Sequence, residues 1–239
     1  MQIRVLTHNI HKGVSYVLHR RILDELRAEI HAVGADIVFL QEVRGAYHKG
    51  PTPQHDYLAE AGWADSVYGK NAVYKNGHHG NAILSQFTLV ADHNKDLSLN
   101  RWEQRGLLHA VAEMPDGKPL HLFCLHLNLR KQHRMIQTRQ VIEHMRDCLG
   151  PDERAILAGD FNDWQGEVSA ELEEALSLRD VAHVLHGEHA RTFPSFYPML
   201  RLDRIYFRGL EVVDFSVLDD PRWRGLSDHL PMTAGFDIS

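Results

Sequence analysis

Short apolar segments that run directly into polar residues are the feature that most constrains how this chain can fold. The apolar run Ala155 to Ala158 leads into Gly159-Asp160-Phe161-Asn162, which puts a carboxylate and a carboxamide at the end of a buried strand. Enzymes built from strands and helices keep their chemistry at strand ends. Asp160 and Asn162 are two residues apart, so in extended backbone both side chains leave the strand on the same face.

Four further segments end in polar residues in the same way. Taken alone, each has a purely structural explanation, since Asn9 can cap a turn, Glu42 can begin a loop and an Asp-His pair near a chain end is commonly solvated. Packing alone does not require such residues to recur at successive strand ends, so together they predict one site. The four segments are Arg4 to Thr7 with His8-Asn9, Asp36 to Leu40 with Gln41-Glu42, Leu120 to Leu125 with His126, and the C-terminal Ser227-Asp228-His229.

These strings, in this order, resemble the motifs of the endonuclease/exonuclease/phosphatase superfamily. Any one of them is weak evidence, but the ordered set runs from residue 5 to residue 231 and covers almost the whole chain. The resemblance implies an α/β fold of the DNase I-like type, a four-layer sandwich in which two packed mixed β-sheets are flanked by helices. The motifs are Thr7-His8-Asn9-Ile10, Leu40-Gln41-Glu42-Val43, Gly80-Asn81-Ala82-Ile83-Leu84-Ser85, His126-Leu127, Gly159-Asp160-Phe161-Asn162, Leu202-Asp203-Arg204-Ile205-Tyr206 and Ser227-Asp228-His229-Leu230-Pro231.

The length and composition agree with a compact enzyme. A chain of 239 residues is ordinary for one α/β domain, so we expect a single domain spanning residues 1–239 and a monomer. Its content of 44% hydrophobic and 24% charged residues is typical of a globular protein. The net charge of -6 argues against broad nonspecific affinity for nucleic acid, although it does not exclude a local basic rim.

The chain start and the cysteines bear on the compartment. Residues 3–6 already read as a strand, without a secretory signal, and no apolar run approaches the roughly twenty residues of a membrane-spanning helix. Cys124 and Cys148 lie in an apolar strand and on an apolar helical face, so we expect two buried free thiols. We therefore expect a cytoplasmic protein, although a processed mature chain would look the same.

The hydrophobic pattern predicts a scaffold of helices and strands. Leu18, Ile22, Leu26 and Ile30 recur every four residues before Gly34, which predicts a helix over residues 18–33 capped by that glycine. A second helix is predicted over residues 130–149, with Met135, Ile142, Met145 and Leu149 facing the core. Strands are predicted at 107–114 and 119–126, joined as a hairpin, and at 203–207, 212–218 and 232–236, with surface loops at 51–55 and 75–79.

Phosphate ester hydrolysis, which the resemblance implies, needs a positioned water and neutralisation of the phosphate oxygens. Glu42 supplies the hard oxygen ligand that Mg²⁺ or Mn²⁺ prefers. Asn9 is its natural neighbour, either as a metal ligand through Oδ1 or as a phosphate contact through its amide nitrogen. Asp228 lies beside His229 but, by the alternation of extended backbone, should point elsewhere, and we expect it at the metal. We predict one metal ion at Glu42 and leave a second open.

His229 is the best candidate for proton handling, because imidazole titrates near neutral pH. The resemblance implies that Asp203 accepts the other ring N–H of His229. It further implies that Asp160 orients the attacking water or protonates the leaving oxygen, while Asn162 and His126 hold the nonbridging oxygens. Which of Asp160 and His229 activates the water stays open at this point.

Several other arginine and histidine side chains could be either functional or structural. Arg105 precedes a predicted strand and is either a substrate-binding phosphate contact, through its bidentate guanidinium, or part of a surface ion pair. His78-His79 has no accompanying Cys-x-x-Cys or His-Glu-x-x-His pattern, which argues against zinc there. His11 and His109 are predicted to be rim residues or polar surface.

The substrate class is the least constrained property. Members of the superfamily that act on abasic DNA place a tyrosine where this chain has His126, and no basic stripe interleaved with aromatics is visible. We therefore expect a small bacterial-type phosphodiesterase whose partner is a phosphate ester, whether a phosphodiester, a phospholipid head group or nucleic acid. A DNA repair nuclease and a catalytically silent binding module are the alternatives. Silence is disfavoured because the catalytic set, namely Glu42, Asp160, Asn162, Asp203 and His229, is complete.

Overall fold

A computed structural model of the chain describes residues 1–16, 19–45, 52–75 and 77–238. Within these ranges the alternating apolar segments form strands that assemble into two six-stranded sheets. In chain order the strands are β1 (Gln2–Asn9), β2 (Ile37–Arg44), β3 (Asp65–Tyr74), β4 (Gly77–Ser85), β5 (Leu89–Asp96), β6 (Gly106–Glu113), β7 (Pro119–His126), β8 (Arg154–Asp160), β9 (Arg179–Asp180), β10 (Asp203–Arg208), β11 (Glu211–Val217) and β12 (Met232–Asp237).

Each sheet has one parallel pair of strands at its centre. The first sheet has the order β11-β12-β1-β2-β4-β3, and the second has the order β5-β6-β7-β8-β10-β9. β1 runs parallel to β2, and β7 runs parallel to β8, whereas the other neighbours are antiparallel. Parallel neighbours end at the same edge of a sheet, so the polar residues at their carboxyl ends are brought together.

Helices cover the outer faces of the two sheets. One hydrophobic cluster packs Leu26 and Ile30 against the first sheet. Another packs Val141 and Met145 against the second. A third cluster lies between the sheets, where side chains such as Phe39 meet residues of the other sheet. This four-layer arrangement confirms the predicted fold class. The helices are α1 (Leu23–Val33), α2 (Gln54–Ala59), α3 (Lys131–Cys148), α4 (Glu167–Leu176), α5 (Val181–His186) and α6 (Pro221–Arg224).

The first predicted helix is shorter than its apolar period suggests. It begins at Leu23 rather than residue 18, because Ile22 has the non-helical φ of -135° and Arg21 pairs with Val14 in an isolated bridge. Leu18 lies outside the described residues. At the other end the prediction is confirmed, since Gly34 caps the helix in the left-handed conformation with φ of 67°.

The second predicted helix is α3, and its inner face is more polar than predicted. Ile142 and Met145 are buried as expected, but so are Arg134, Gln137 and Thr138. Gln137 donates to the Leu97 and Asn128 oxygens, Thr138 donates to a backbone carbonyl one turn earlier, and Arg134 donates through Nη1 to the Leu129 carbonyl oxygen. The helix therefore docks with hydrogen bonds as well as apolar contacts.

The predicted hairpin is confirmed, with β6 and β7 paired antiparallel from Leu107 opposite Leu125 to Glu113 opposite Pro119. The predicted loops at 51–55 and 75–79 are wrong in part. α2 begins at Gln54 and β4 begins at Gly77, although residues 51 and 76 lie outside the described ranges. His78 and His79 are thus strand residues, because pairing with β3 outweighs the glycines beside them.

The two cysteines differ more than their sequence contexts suggest. Both are free thiols, as predicted, and Cys124 is buried between the sheets. Cys148 is only half-buried, at the last turn of α3, so the prediction of a buried thiol is wrong there. None of the helices in the described ranges combines the length and apolar composition needed to span a bilayer.

Candidate active site

The carboxyl ends of the two central parallel pairs meet in one cleft of about 300 Å³. The β7–β8 register places His126 opposite Asp160, and the antiparallel β10 places Asp203 opposite Asp160. The two sheets are joined there, because Asn9 Nδ2 of β1 donates to Asp160 Oδ2 at 3.0 Å. The side chains that line the cleft are Asn9, Glu42, Arg105, His126, Leu129, Asp160, Asn162, Trp164, Phe193, Leu200, Leu202, Asp228 and His229.

Asp160 is the buried carboxylate at the centre of the cleft. Its Oδ1 accepts the backbone N–H of Asn162 at 3.0 Å, and its Oδ2 accepts the amide of Asn9. Burial raises the pKa of Asp160 to about 7, although the positive charge of His229 works in the opposite direction. A carboxyl group that titrates near neutral pH is suited to exchange a proton during a reaction.

Asn162 reaches the cleft by a different local geometry from the one predicted. Its φ is 50°, which is left-handed rather than extended, so the alternation argument for Asp160 and Asn162 is wrong. The amide Nδ2 of Asn162 donates to the Leu127 carbonyl oxygen at 2.9 Å. This bond fixes the side chain in the cleft and leaves a second amide N–H for another acceptor.

His229 is held between two carboxylates. Its Nδ1 lies 2.8 Å from Asp203 Oδ2, and its Nε2 lies 3.6 Å from Asp160 Oδ2. The Thr192 hydroxyl donates to the same oxygen of Asp203 and orients that carboxylate. Burial works to lower the pKa of His229, but the charges of Asp203 and Asp160 raise it to about 10. The ring is therefore an imidazolium at neutral pH, and Asp203 lies behind it rather than in the cleft wall.

A backbone turn fixes the position of His229. The Ser227 hydroxyl donates to the Asn9 carbonyl oxygen at 2.6 Å and accepts the His229 backbone N–H at 3.3 Å. Residues 227–230 form bends rather than a strand, so alternation does not separate the side chains of Asp228 and His229. Both line the same cleft, where Asp228 is half-buried, and the predicted divergence of the two is wrong.

Glu42 lies at a β-bulge and not at the end of its strand. β2 continues to Arg44, but the pairing with β4 shifts between Leu40 and Val43, and Glu42 has a φ of 57°. A bulge re-aims one side chain of a strand, and here it turns Glu42 into the cleft. Glu42 Oε2 lies 2.7 Å from Lys12 Nζ. Burial works to raise the pKa of Glu42, but Lys12 lowers it through its charge and its hydrogen bond, so Glu42 is a carboxylate at neutral pH.

His126 lies between the side chains of Asp160 and Glu42. Its Nε2 lies 3.4 Å from Asp160 Oδ2, and its Nδ1 lies 4.0 Å from Glu42 Oε1. Burial and the positive charge of Arg105 lower the pKa of His126 well below its usual value. The ring is therefore neutral at pH 7 and offers one N–H donor to the cleft.

Arg105 combines both roles that its sequence context left open. Its Nη2 lies 3.4 Å from Glu103 Oε1, and the side chain also lines the cleft with 13% of its surface exposed. Its Nε is buried and has no hydrogen-bond partner among the described residues. An ion pair thus orients a guanidinium that keeps donors for a ligand.

Two features of the cleft were missed by sequence reasoning. One is Lys12, whose proximity to Asn9 in the chain was an available signal. The other is an apolar wall of the cleft, for which the scattered sequence positions gave no signal. Arg134 supports this wall by stacking its guanidinium 4.8 Å from the Trp164 ring. The wall consists of Leu129, Trp164, Phe193, Leu200 and Leu202.

The donor set at Glu42 fits a hard divalent cation. Glu42 carries an ionised carboxylate whose partner, Lys12, has a side chain that is 32% exposed. Asn9 and Asp228 add amide and carboxylate oxygens to the same cleft, and oxygen ligands are those that Mg²⁺ and Mn²⁺ prefer. Asp160, Asp203 and His229 also have ligand atoms within 4.8 Å of one another, but their charges are already paired.

Comparison with known proteins gives consistent matches over the full chain. The sequence profile of the Endonuclease/Exonuclease/phosphatase family matches residues 6–229. The uncharacterized protein YbhP of Escherichia coli K12 is 42% identical over 241 residues, which cover 97% of this chain and 94% of that protein.

Solved structures share the fold at lower sequence identity. The human Nocturnin catalytic domain with bound sulfate anion superposes with a TM-score of 0.81 and 22% identity, covering 100% of this chain and 94% of that one. TDP2 of D. rerio complexed with a single-strand DNA product superposes with a TM-score of 0.78 and 20% identity, covering 99% of each chain. At these identities the likeness shows the fold.

Proposed function

We propose that this chain, which belongs to the endonuclease/exonuclease/phosphatase family, is a phosphodiesterase that uses Mg²⁺ or Mn²⁺ in the cleft around Asp160 and His229. Members of this family hydrolyse phosphoester bonds. The observation that carries the proposal is the line of contacts from Asp203 through His229 to Asp160, beside the ionised Glu42. It supplies a fixed cation, a proton acceptor and a metal-binding carboxylate around one space.

Glu42 would hold the metal ion, with Asn9 and Asp228 as further oxygen donors. When bound, such an ion neutralises charge on the phosphate oxygens and orients the ester. Lys12, the present partner of Glu42 at 2.7 Å, would leave the carboxylate and remain near the phosphate as a cation. A carboxylate already ionised by its surroundings binds a cation without first losing a proton.

The protonation states support Asp160 as the proton acceptor of the proposed reaction. His229 is an imidazolium at neutral pH, so it cannot accept a proton from water, but it can stabilise a developing negative charge. Asp160, with a pKa of about 7, is ionised in a large fraction of molecules and can accept a proton from the attacking water. The 3.6 Å between His229 Nε2 and Asp160 Oδ2 keeps both groups within reach of one phosphate.

Three neutral or cationic donors would hold the nonbridging oxygens. Asn162 contributes the amide N–H that its bond to Leu127 leaves available, and His126 contributes a ring N–H. Arg105 contributes its guanidinium, whose Nε has no protein partner among the described residues. Donors that are fixed before the reaction need no reorganisation as charge develops, which is the main source of such catalysis.

The apolar wall favours an ester with an apolar or aromatic substituent. Leu129 and Trp164 line the cleft, and as whole residues they are 60% and 42% exposed. Burying such surface on a substrate contributes about 25 cal/mol per Å². A strongly anionic polymer would bury less apolar surface on this wall and so bind it less tightly. The net charge of -6 adds no electrostatic attraction for such a polymer.

Hydrolysis of bis-p-nitrophenyl phosphate tests the proposal. With Mg²⁺ or Mn²⁺ the purified chain should release p-nitrophenol, and EDTA should abolish the release. The monoester p-nitrophenyl phosphate, phospholipid vesicles and duplex DNA with an abasic site are assayed in parallel. Duplex DNA should bind only in the range of about 10⁻⁴ to 10⁻⁶ M that is typical of nonspecific contacts. Efficient incision of the abasic duplex with nanomolar binding would make a repair nuclease the better assignment, and no turnover of any ester would refute hydrolysis.

A further inference from the structure

A cluster of histidines with one cysteine lies on the face of the second sheet that α3 covers. His109 of β6 faces His144 of α3, with ring centroids 5.6 Å apart. His144 and Cys148 are four residues apart on α3 and so share one face of the helix. His93 of β5 is directly opposite His109 in the strand register. None of these side chains lines the cleft around Asp160.

The ligand atoms of this cluster lie close enough together to converge on one metal ion. One ring nitrogen of His109, one of His144 and the sulfur of Cys148 all lie within 4.8 Å of one another. The distance from Cys148 Sγ to His144 Nε2 is 3.6 Å. Zinc bonds of about 2.3 Å to sulfur and about 2.0 Å to nitrogen at a tetrahedral angle put those two atoms about 3.5 Å apart. That pair already has the spacing a shared metal ion requires.

We propose that His109, His144 and Cys148 bind a zinc-class transition metal ion, with the exposed His93 or a water as the fourth ligand. The donors are two imidazoles and a thiolate, a set that selects borderline and soft ions over Mg²⁺ and Mn²⁺. This site is therefore distinct in chemistry as well as in place from the oxygen-rich donor set at Glu42.

Neighbouring side chains hold His109 as the outer partners of metal ligands do. His109 Nε2 lies 3.0 Å from His121 Nδ1, so one ring orients the other by a hydrogen bond. The ring of His109 also stacks on Phe123 with centroids 4.2 Å apart. His109 is fixed on a strand, so it needs little further ordering when the ion binds. The side chains of His144 and Cys148 on the helix would make the remaining adjustment.

An entry path exists at the edge of α3. His144 and Cys148 are half-buried, and His93 is exposed, so an ion can reach the cluster from solvent. Binding replaces the thiol proton of Cys148, which is released to the buffer as the sulfur–metal bond forms. An aromatic cluster that only packs against Phe123 would release no proton and show no sulfur–metal bond.

Titration with Co²⁺ and Zn²⁺ after removal of metal by a chelator tests the site. Co²⁺ should produce one thiolate-to-cobalt charge-transfer band per chain, and Zn²⁺ should displace it. Cys148→Ser should abolish the band and weaken Zn²⁺ binding at least tenfold, whereas the matched variant Cys124→Ser and the cleft variant Glu42→Gln should keep the band. A band that persists in Cys148→Ser, or disappears in Cys124→Ser, would overturn the proposal.

Alkylation of the unmodified chain gives a readout that depends on no variant. In mass spectra, N-ethylmaleimide should label Cys148 in the metal-free protein and leave Cys124 unlabelled, because Cys124 is fully buried. One equivalent of Zn²⁺ should slow labelling of Cys148 at least tenfold, while the same concentration of Mg²⁺ should have no effect. Equal labelling rates with and without Zn²⁺ would refute the site.

Discussion

His229 and His109 are both buried, yet the molecule places them in opposite charge states. His229 contacts the carboxylates of Asp203 and Asp160, which raise its pKa to about 10 against the effect of burial. His109 has histidines and Phe123 as neighbours, and burial together with those histidines lowers its pKa to about 3. Burial alone thus does not decide whether a histidine is charged. Between these two histidines the difference is the Asp203 carboxylate, which lies 2.8 Å from His229 Nδ1 and has no counterpart beside His109.

The origin of this difference lies in the fold. The loop that carries His229 is next to the ends of β8 and β10, where Asp160 and Asp203 are paired in register. His109 lies within β6, on a sheet face whose neighbours on β7 and α3 carry no carboxylate in contact with it. One histidine becomes a fixed cation in a cleft, and the other stays neutral, with one ring nitrogen hydrogen-bonded to His121 and one left as a possible ligand of the proposed metal ion.

The largest effect should follow removal of the fixed cation. His229→Ala should lower kcat for bis-p-nitrophenyl phosphate about a thousandfold or more, because the charge that develops in the transition state loses its stabilising partner. Steady-state kinetics measure this, with the exposed His183→Ala as the matched control that should keep the parent rate. A loss in His229→Ala of less than tenfold would place His229 outside the chemistry.

A somewhat smaller loss is expected from the metal-binding carboxylate. Glu42→Gln should lower turnover by a factor of about a hundred or more and weaken the metal dependence of the rate, since an amide cannot neutralise the cation. Rates measured across a range of Mn²⁺ concentrations check this, with the exposed Glu174→Gln as control. Full activity of Glu42→Gln, or of the parent chain in EDTA, would contradict the assignment.

The pH dependence of the rate should report Asp160. Its pKa is raised to about 7, so the proton-accepting carboxylate is lost as pH falls, and kcat/KM should drop about tenfold per pH unit below that value. Above about pH 10 the rate should fall again as His229 loses its proton. A rate that stays constant down to pH 5 would show that Asp160 is not the base.

The smallest effect concerns how His109 changes the free energy of unfolding as the pH is lowered. The pKa of His109 is about 3 when folded and about 6.5 when unfolded, so between these values the unfolded chain binds more protons. Stability therefore falls as pH decreases through this window. In His109→Phe the loss in unfolding free energy between pH 7 and pH 5.5 should be smaller by about 1 kcal/mol. Urea unfolding in EDTA at both pH values measures it, and an unchanged difference would contradict the account.

The family resemblance of the ordered motifs predicted the fold class, and the polar strand ends predicted polar residues that line the cleft. Asn9, His126 and Asp160 follow from apolar runs whose ends coincide in parallel sheets, which is a local pattern that a sequence displays. The side-chain directions did not follow, because Asn162 and Glu42 have positive φ values of 50° and 57°. Strand alternation fails at such positions, and tertiary pairing rather than local preference sets them.

Other features depended on contacts between distant parts of the chain. The histidine cluster joins β5, β6, β7 and α3. His109 was predicted to be a rim residue or polar surface, because its own neighbours in sequence gave no sign of α3 above it. The contact of Thr192 with Asp203 spans a loop without regular structure. The helix α5 was missed because its six residues are too few to show a clear helical period, whereas α4 was missed although Val168, Leu172 and Leu176 recur every four residues along it.

The double-mutant cycle between Asp203 and His229 tests most directly whether a carboxylate partner makes His229 the catalytic cation. Asp203→Asn should lower kcat less than His229→Ala, and the double variant should be little worse than His229→Ala alone, because Asp203 acts through the histidine. Circular dichroism and the pH profile of Asp203→Asn, whose alkaline limb should move to lower pH, separate this role from a loss of folding. If the two single losses multiply in the double variant, the two residues act independently and the central claim is wrong.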